Sequence, residues 1–170
     1  MKIYDCTSFY SEHMMYDVRL NILKDKVDKF IVTESTYSHS GKKKKLNFDI
    51  SNYPKFKDKI IHVIIDKEPN GIVPENNDPS LQRSNSLKRI ALSYDESLKT
   101  LKESSDEDLI MLSDNDEIPN LNSKDFAKNK KNIVLFKQLF SILDLIYFMT
   151  ECTGLGQKVV KKRNWNLYPG

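Results

Sequence analysis

Asp108-Leu109-Ile110-Met111-Leu112-Ser113-Asp114-Asn115-Asp116-Glu117-Ile118-Pro119-Asn120 is the stretch on which the reading of this chain turns. Leu109 to Leu112 is a short apolar run with polar residues on both sides, the pattern of a strand buried on both faces. The chain leaves that strand into Asp114, Asp116 and Glu117, at its C-terminal end. Open α/β sheets bind ligands at that edge. In extended geometry Asp114 and Asp116 point the same way. Two converging carboxylates repel unless a cation joins them, and hard oxygen ligands suit Mg²⁺ or Mn²⁺, which in turn holds a diphosphate. The competing reading is a solvated turn or a cap on the next helix.

Outward from this stretch, the pattern alternates. Strands are expected at Lys2–Cys6, Lys29–Thr33 and Ile60–Ile65, each short and apolar or β-branched. A helix is expected from Ser11-Glu12 to about Lys26, with Met14, Val18, Leu20, Ile22 and Leu23 as its apolar positions. A second helix is expected over Leu81–Glu103, with Leu87, Ile90, Ala91, Tyr94, Leu98 and Leu101 as its stripe. A short helix is expected over Asn52–Asp58, and polar loops over Thr36–Lys45 and Asp66–Pro79. Beyond the acidic stretch the expectations are a helical turn over Ser123–Lys130 and a strand over Ile133–Phe136. Leu139–Thr150 is left open between strand and helix, and Val159-Val160 starts an edge strand. This order predicts an α/β fold: a mostly parallel central sheet with helices on both faces.

Bulk properties set bounds. The 170 residues suit one domain. With 39% hydrophobic and 30% charged residues, the chain is globular rather than disordered. A net charge of +3 does not argue for a nucleic-acid partner. Cys6 and Cys152 are far apart and imply neither a zinc site nor a disulfide framework. No segment is long and apolar enough for a membrane span, and Met1 to Asp5 lacks a signal-peptide core. With no Asn-x-Ser/Thr sequon, a cytoplasmic setting is expected, or a soluble piece of something larger. The first strand is not followed by Gly-x-Gly-x-x-Gly, and no Walker lysine occurs, which argues against dinucleotide dehydrogenases and P-loop enzymes.

Three polar strand ends then fall on one sheet edge: Asp5-Cys6, Glu34-Ser35 and Asp114 to Glu117. Arg19, Lys42 to Lys45 and Arg83 are the cations able to meet an anion there. Arg19 has a second reading as a partner of Asp17 or Glu12 on its own helix, and Lys42 to Lys45 as a solvated loop.

Five blocks carry a family resemblance. Lys2-Ile3-Tyr4-Asp5-Cys6 with Glu12 and Asp17-Val18-Arg19-Leu20-Asn21 resembles the opening of glycosyltransferase family 17. Val27 to Ser35 with His39-Ser40-Gly41-Lys42 is similar to its second block, and Phe56 to Val63 to its third. Gln82-Arg83 and Ser113 to Pro119 resemble the other two. The resemblance implies a GT-A-like fold and inverting transfer of a sugar, N-acetylglucosamine among the candidates. The donor would be a nucleotide-diphosphate sugar, UDP-sugar favoured, and the acceptor a glycan or other hydroxyl. It implies that Asp114 and Asp116 hold a divalent cation, Mn²⁺ or Mg²⁺, and that Asp5, Glu34, Arg83 and Asp114 bind donor. The single domain divides into a nucleotide-sugar and metal-binding core at 1–120 and a shortened acceptor side at 121–170. In the second part Asp144 and Glu151 are the candidate bases for the acceptor hydroxyl. The chain departs from the family at Ser84, where asparagine is usual, and at Leu155-Gly156, where tryptophan usually precedes the glycine. An inactive nucleotide-sugar or glycan-binding module is the alternative.

Overall fold

The computed structural model describes residues 1–74 and 77–121, and the backbone of 133–139 and 153–161. The strands are β1 (Ile3–Ser8), β2 (Lys29–Ser35), β3 (Ile60–Ile65), β4 (Leu109–Leu112), β5 (Ile133–Leu139) and β6 (Thr153–Lys161). The helices are α1 (His13–Leu23) and α2 (Pro79–Lys99). They build one sheet in the order β3-β2-β1-β4-β6-β5. β3, β2, β1 and β4 run parallel, while β6 is antiparallel to both β4 and β5. The expected α/β fold with a mostly parallel sheet is therefore observed.

The order has a functional consequence. The chain moves outward from β1 through β2 to β3, then returns through α2 and adds β4 on the other side of β1. That reversal opens a crevice above the C-terminal ends of β1 and β4, the switch point where open α/β sheets hold ligands.

Period-two alternation assigns the apolar strand residues to two cores. Ile3, Phe30, Val32, Ile60, Leu109 and Met111 pack with Tyr16, Leu20 and Leu23 of α1. Tyr4, Cys6, Ile31, Ile110 and Leu112 pack on the opposite face, against Tyr94 and Leu98 of α2 and Leu101. Helices thus cover both faces, which explains why β4 reads as an unbroken apolar run.

Several expectations are corrected. On α1 the inward stripe is Tyr16, Arg19, Leu20 and Leu23, spaced three and four apart. Met14, Val18 and Ile22 form a second stripe that faces solvent, at 78%, 43% and 57% exposure. A charged residue holds a core position, and of the expected apolar positions Leu20 and Leu23 face inward while the other three do not. On α2, Leu87 is exposed while Asn85, Ser93 and Ser97 are buried. The expected helix over 52–58 is a pair of 3₁₀ turns, Ile50–Asn52 and Pro54–Phe56, with Pro54 starting the second. Val160 belongs to β6, which is an inner strand rather than an edge. The expected turn over Ser123–Lys130 and the segment 140–150 lie outside the described residues.

The two stripes of α1 give a direct test. Leu20→Ala, at a fully buried site, is expected to remove about 2–5 kcal/mol of stability. Met14→Ala should stay within about 0.5 kcal/mol of the parent. Urea denaturation of both variants measures the difference, and equal losses would refute the assignment of faces.

Candidate functional site

A cleft of about 480 Å³ lies above the crevice. Its lining includes Tyr10 after β1, Ser35 at the end of β2, Lys44 and Arg89, and Asp114, Asn115 and Asp116 after β4. The ends of β1, β2 and β4 thus share one edge, but β1 runs on to Ser8, so Asp5 lies inside the strand rather than at its expected end, and the acidic side chains do different things.

Asp5 is 1% exposed and receives both arms of the Arg19 fork, Nε to Oδ2 at 2.8 Å and Nη2 to Oδ1 at 2.7 Å. The same guanidinium reaches β4's exit. Arg19 Nη2 donates to Ser113 Oγ at 2.6 Å, and Nη1 donates to the carbonyls of Asp114, Asn115 and Glu117 at 3.0–3.2 Å. One buried cation therefore ties β1 to the single turn over residues 114–117. Asp5, expected to touch donor, instead neutralises the residue that shapes the acidic turn. Arg19 pairs with neither Asp17 nor Glu12.

The acidic stretch is a turn rather than an extended strand. Glu117 N donates to Asp114 O, and Asp114 N donates to Glu117 Oε2 at 3.2 Å. Asp114 and Asp116 are consequently exposed at the cleft, with Asn115 buried between them. The expected parallel projection of their side chains does not rest on strand geometry; the Arg19-held turn is what presents them. Burial, with Asp114 and Asp116 adding to it, pushes the Glu117 carboxyl above its ordinary range. The turn is thus a concentrated negative pole. Asn115 has neither carboxamide atom hydrogen-bonded.

Glu34 is 1% exposed and serves the protein. Its Oε1 accepts from Lys44 Nζ at 2.5 Å and Asn47 N at 2.7 Å, and its Oε2 accepts from Phe48 N at 2.9 Å. It pins the segment that follows β2 across the cleft. His62 of β3 lies beside it, with Nε2 at 3.8 Å from Glu34 Oε2 and its ring against Phe48. Burial holds the His62 imidazole below its ordinary pKa, against the pull of Glu34.

Arg83 is exposed on α2 and does not line the cleft. Arg89, two turns further along the same helix, does. Its fork takes both oxygens of Glu68 at 2.8 and 2.9 Å, and Nη1 donates to His39 O at 2.9 Å. The carbonyl belongs to a turn closed by Gly41 at φ 87°, where any side chain would collide with the Arg89 guanidinium. Sequence reading missed Arg89 because nothing near it in the chain marks it. Six residues on a helix turn a side chain about 120° off its face, so Arg83 and Arg89 look to different sides.

Asp144 and Glu151 lie outside the described residues. Among the described residues there is no group of three or more His, Cys, Asp or Glu side chains able to hold a metal. Asp114 and Asp116 are a pair. A pair suits Mg²⁺ or Mn²⁺ when a ligand's phosphate oxygens and water complete the shell.

Two measurements check this geometry. Arg19→Met is expected to lower stability by about 3–5 kcal/mol, since it leaves Asp5 charged, buried and unpaired. Chemical denaturation reads the loss, and a change below about 1 kcal/mol would refute the clamp. The depressed His62 pKa predicts stability that is present above the unfolded value of about 6.5 and lost as pH falls through the folded value. The unfolded chain binds that proton more readily. His62→Gln should flatten the fall in melting temperature between pH 7 and pH 5, and an unchanged slope would refute the assignment.

The sequence profile of glycosyltransferase family 17 matches residues 1–149, a range that contains α1, α2, the acidic turn and every described wall of the cleft. No curated protein matches the chain. The profile covers most of the 170 residues and agrees with the five blocks read from sequence. The chain belongs to glycosyltransferase family 17, and its activity class is glycosyl transfer.

Proposed function

We propose that this glycosyltransferase is metal-dependent, has a GT-A-like arrangement and inverts the anomeric centre. It takes its sugar, with N-acetylglucosamine as leading candidate, from a nucleotide-diphosphate donor, and a UDP-sugar is favoured. The acceptor is a hydroxyl, on a glycan in the leading case. The observation that carries this reading is the exposure of Asp114 and Asp116 on a rigid turn at the sheet's switch point.

The chain's own residues support each element. Asp114 and Asp116 offer hard anionic oxygens, and Arg19 holds the backbone that carries them. A divalent cation bound there supplies Lewis-acid stabilisation of the departing diphosphate. The turn keeps its geometry without ligand, because its carbonyls are already bound by Arg19. The Glu34-anchored segment and the Arg89 bridge bound the cleft on its other sides, which would hold a donor in place against the acidic turn. Asp144 and Glu151 remain the candidate bases that take the acceptor proton.

Calorimetry tests the reading. UDP is expected to bind with Mn²⁺ and to lose at least tenfold affinity without it. Asp116→Ala should show no Mn²⁺ dependence. Binding of UDP by Asp116→Ala as tight and as metal-dependent as the parent would sink the assignment. Release of UDP from a UDP-sugar in the presence of an acceptor separates an enzyme from a binding module.

A further inference from the structure

We propose that Lys44 is the residue that holds the donor's diphosphate from the protein side. The proposal rests on the donor reading above and extends it to a residue that reading does not assign.

Lys42, Lys43, Lys44 and Lys45 are chemically equal, and the fold distinguishes them. Lys42, Lys43 and Lys45 are exposed, whereas the Lys44 side chain is 12% exposed and lines the cleft. Two features turn it inward. The isolated bridge between Tyr37 and Lys43 fixes the local alternation, with Lys44 N donating to Thr36 O at 2.8 Å. The buried Glu34 carboxylate then captures the ammonium at 2.5 Å.

Glu34 does not depend on Lys44 for its hydrogen bonds, because Asn47 N and Phe48 N also donate to it. Its effect on Lys44 is positional. Nζ also donates to Lys45 O at 3.2 Å and sits 5.2 Å from the centre of the Tyr10 ring. A lysine ordinarily loses much rotamer freedom on meeting an anion; here that freedom is already gone.

The other cations near the cleft are committed. Arg19 is fully buried and its fork is taken by Asp5, Ser113 and three carbonyls. Arg89 has its fork on Glu68 and His39 O. Lys44 is paired as well, but Glu34 Oε1 and Lys45 O take two of the three donors of its ammonium, and its side chain lines the cleft that also holds Asp114 and Asp116. A diphosphate carries enough charge to bridge a cation on that turn and an ammonium on the wall. A neutral sugar or a nucleoside has no such need. The ligand chemistry is therefore the diphosphate itself, whether free as pyrophosphate or attached to a nucleoside.

The test uses Mn²⁺ with inorganic pyrophosphate and Mn²⁺ with UDP, on the full chain, by calorimetry. Lys44→Met is expected to weaken both by roughly 10- to 100-fold, the range for a charge-assisted hydrogen bond. The loss should shrink as ionic strength rises. Lys42→Met and Lys45→Met, on the same run, should bind as the parent does. Lys44→Gln keeps a donor for Glu34 without the charge and should show the same loss, which covers the case in which Lys44→Met does not fold. Parent-like binding by the Lys44 variants overturns the proposal, and so does an equal loss in all the lysine variants, which would mean a diffuse field. If Asp116→Ala abolishes binding while the Lys44 variants retain it, this inference falls and the donor reading stands. If the parent binds neither ligand, the donor reading falls and carries this one with it.

Discussion

The guanidinium of Arg19 is the interaction on which the rest of the site depends. It is buried completely, at a core position of α1, and it joins three elements that are distant in sequence. Asp5 from β1 neutralises it, and the exit of β4 wraps around it through one hydroxyl and three carbonyls. A buried charge is tolerable only with such complete satisfaction. The requirement works in both directions. The turn needs Arg19 as the donor shared by the carbonyls of Asp114, Asn115 and Glu117, and Arg19 needs the turn because Asp5 alone leaves donors unsatisfied. The result is an acidic turn whose backbone is set by the core while its carboxylates stay in solvent.

This arrangement separates shape from chemistry. Asp5, inside β1, and Glu34, near the end of β2, are acidic and lie close to the cleft, yet both are about 1% exposed and bound by the protein. Asp5 shapes the turn through Arg19, and Glu34 anchors the segment through Asn47 N and Phe48 N. Asp114 and Asp116 are the acidic groups left at the surface of that turn. The negative pole of the cleft is thus a matter of which carboxylates found partners inside the fold. The same sorting applies to the cations, where Arg19 and Arg89 bind backbone and carboxylate while Arg83 faces solvent.

Strand positions were legible because burial on both faces leaves an apolar signature that needs no partner information. β4 matched its expected limits, and β3 did as well. The orientation of α1 was not legible. Its core stripe contains Arg19, and its solvent stripe contains Met14, Val18 and Ile22. A rule that places apolar residues inside finds Leu20 and Leu23, adds three solvent-facing residues to them, and misses a satisfied charge in the core. The acidic turn shows the same limit, since spacing read as a strand was in fact closed by hydrogen bonds between Asp114 and Glu117.

The sequence by itself determined the class of fold, the family and the acidic stretch that the site is built around. Each of these is a local pattern of residue types or an order of such patterns along the chain. Tertiary structure alone decided which of the charged residues face the cleft. Asp5 rather than Asp17 or Glu12 became the partner of Arg19, Lys44 was drawn in from a run of four lysines, and Arg89 replaced Arg83 at the wall. The reason is physical: a charge becomes structural or available according to whether residues tens of positions away satisfy it, and spacing along the chain does not encode that.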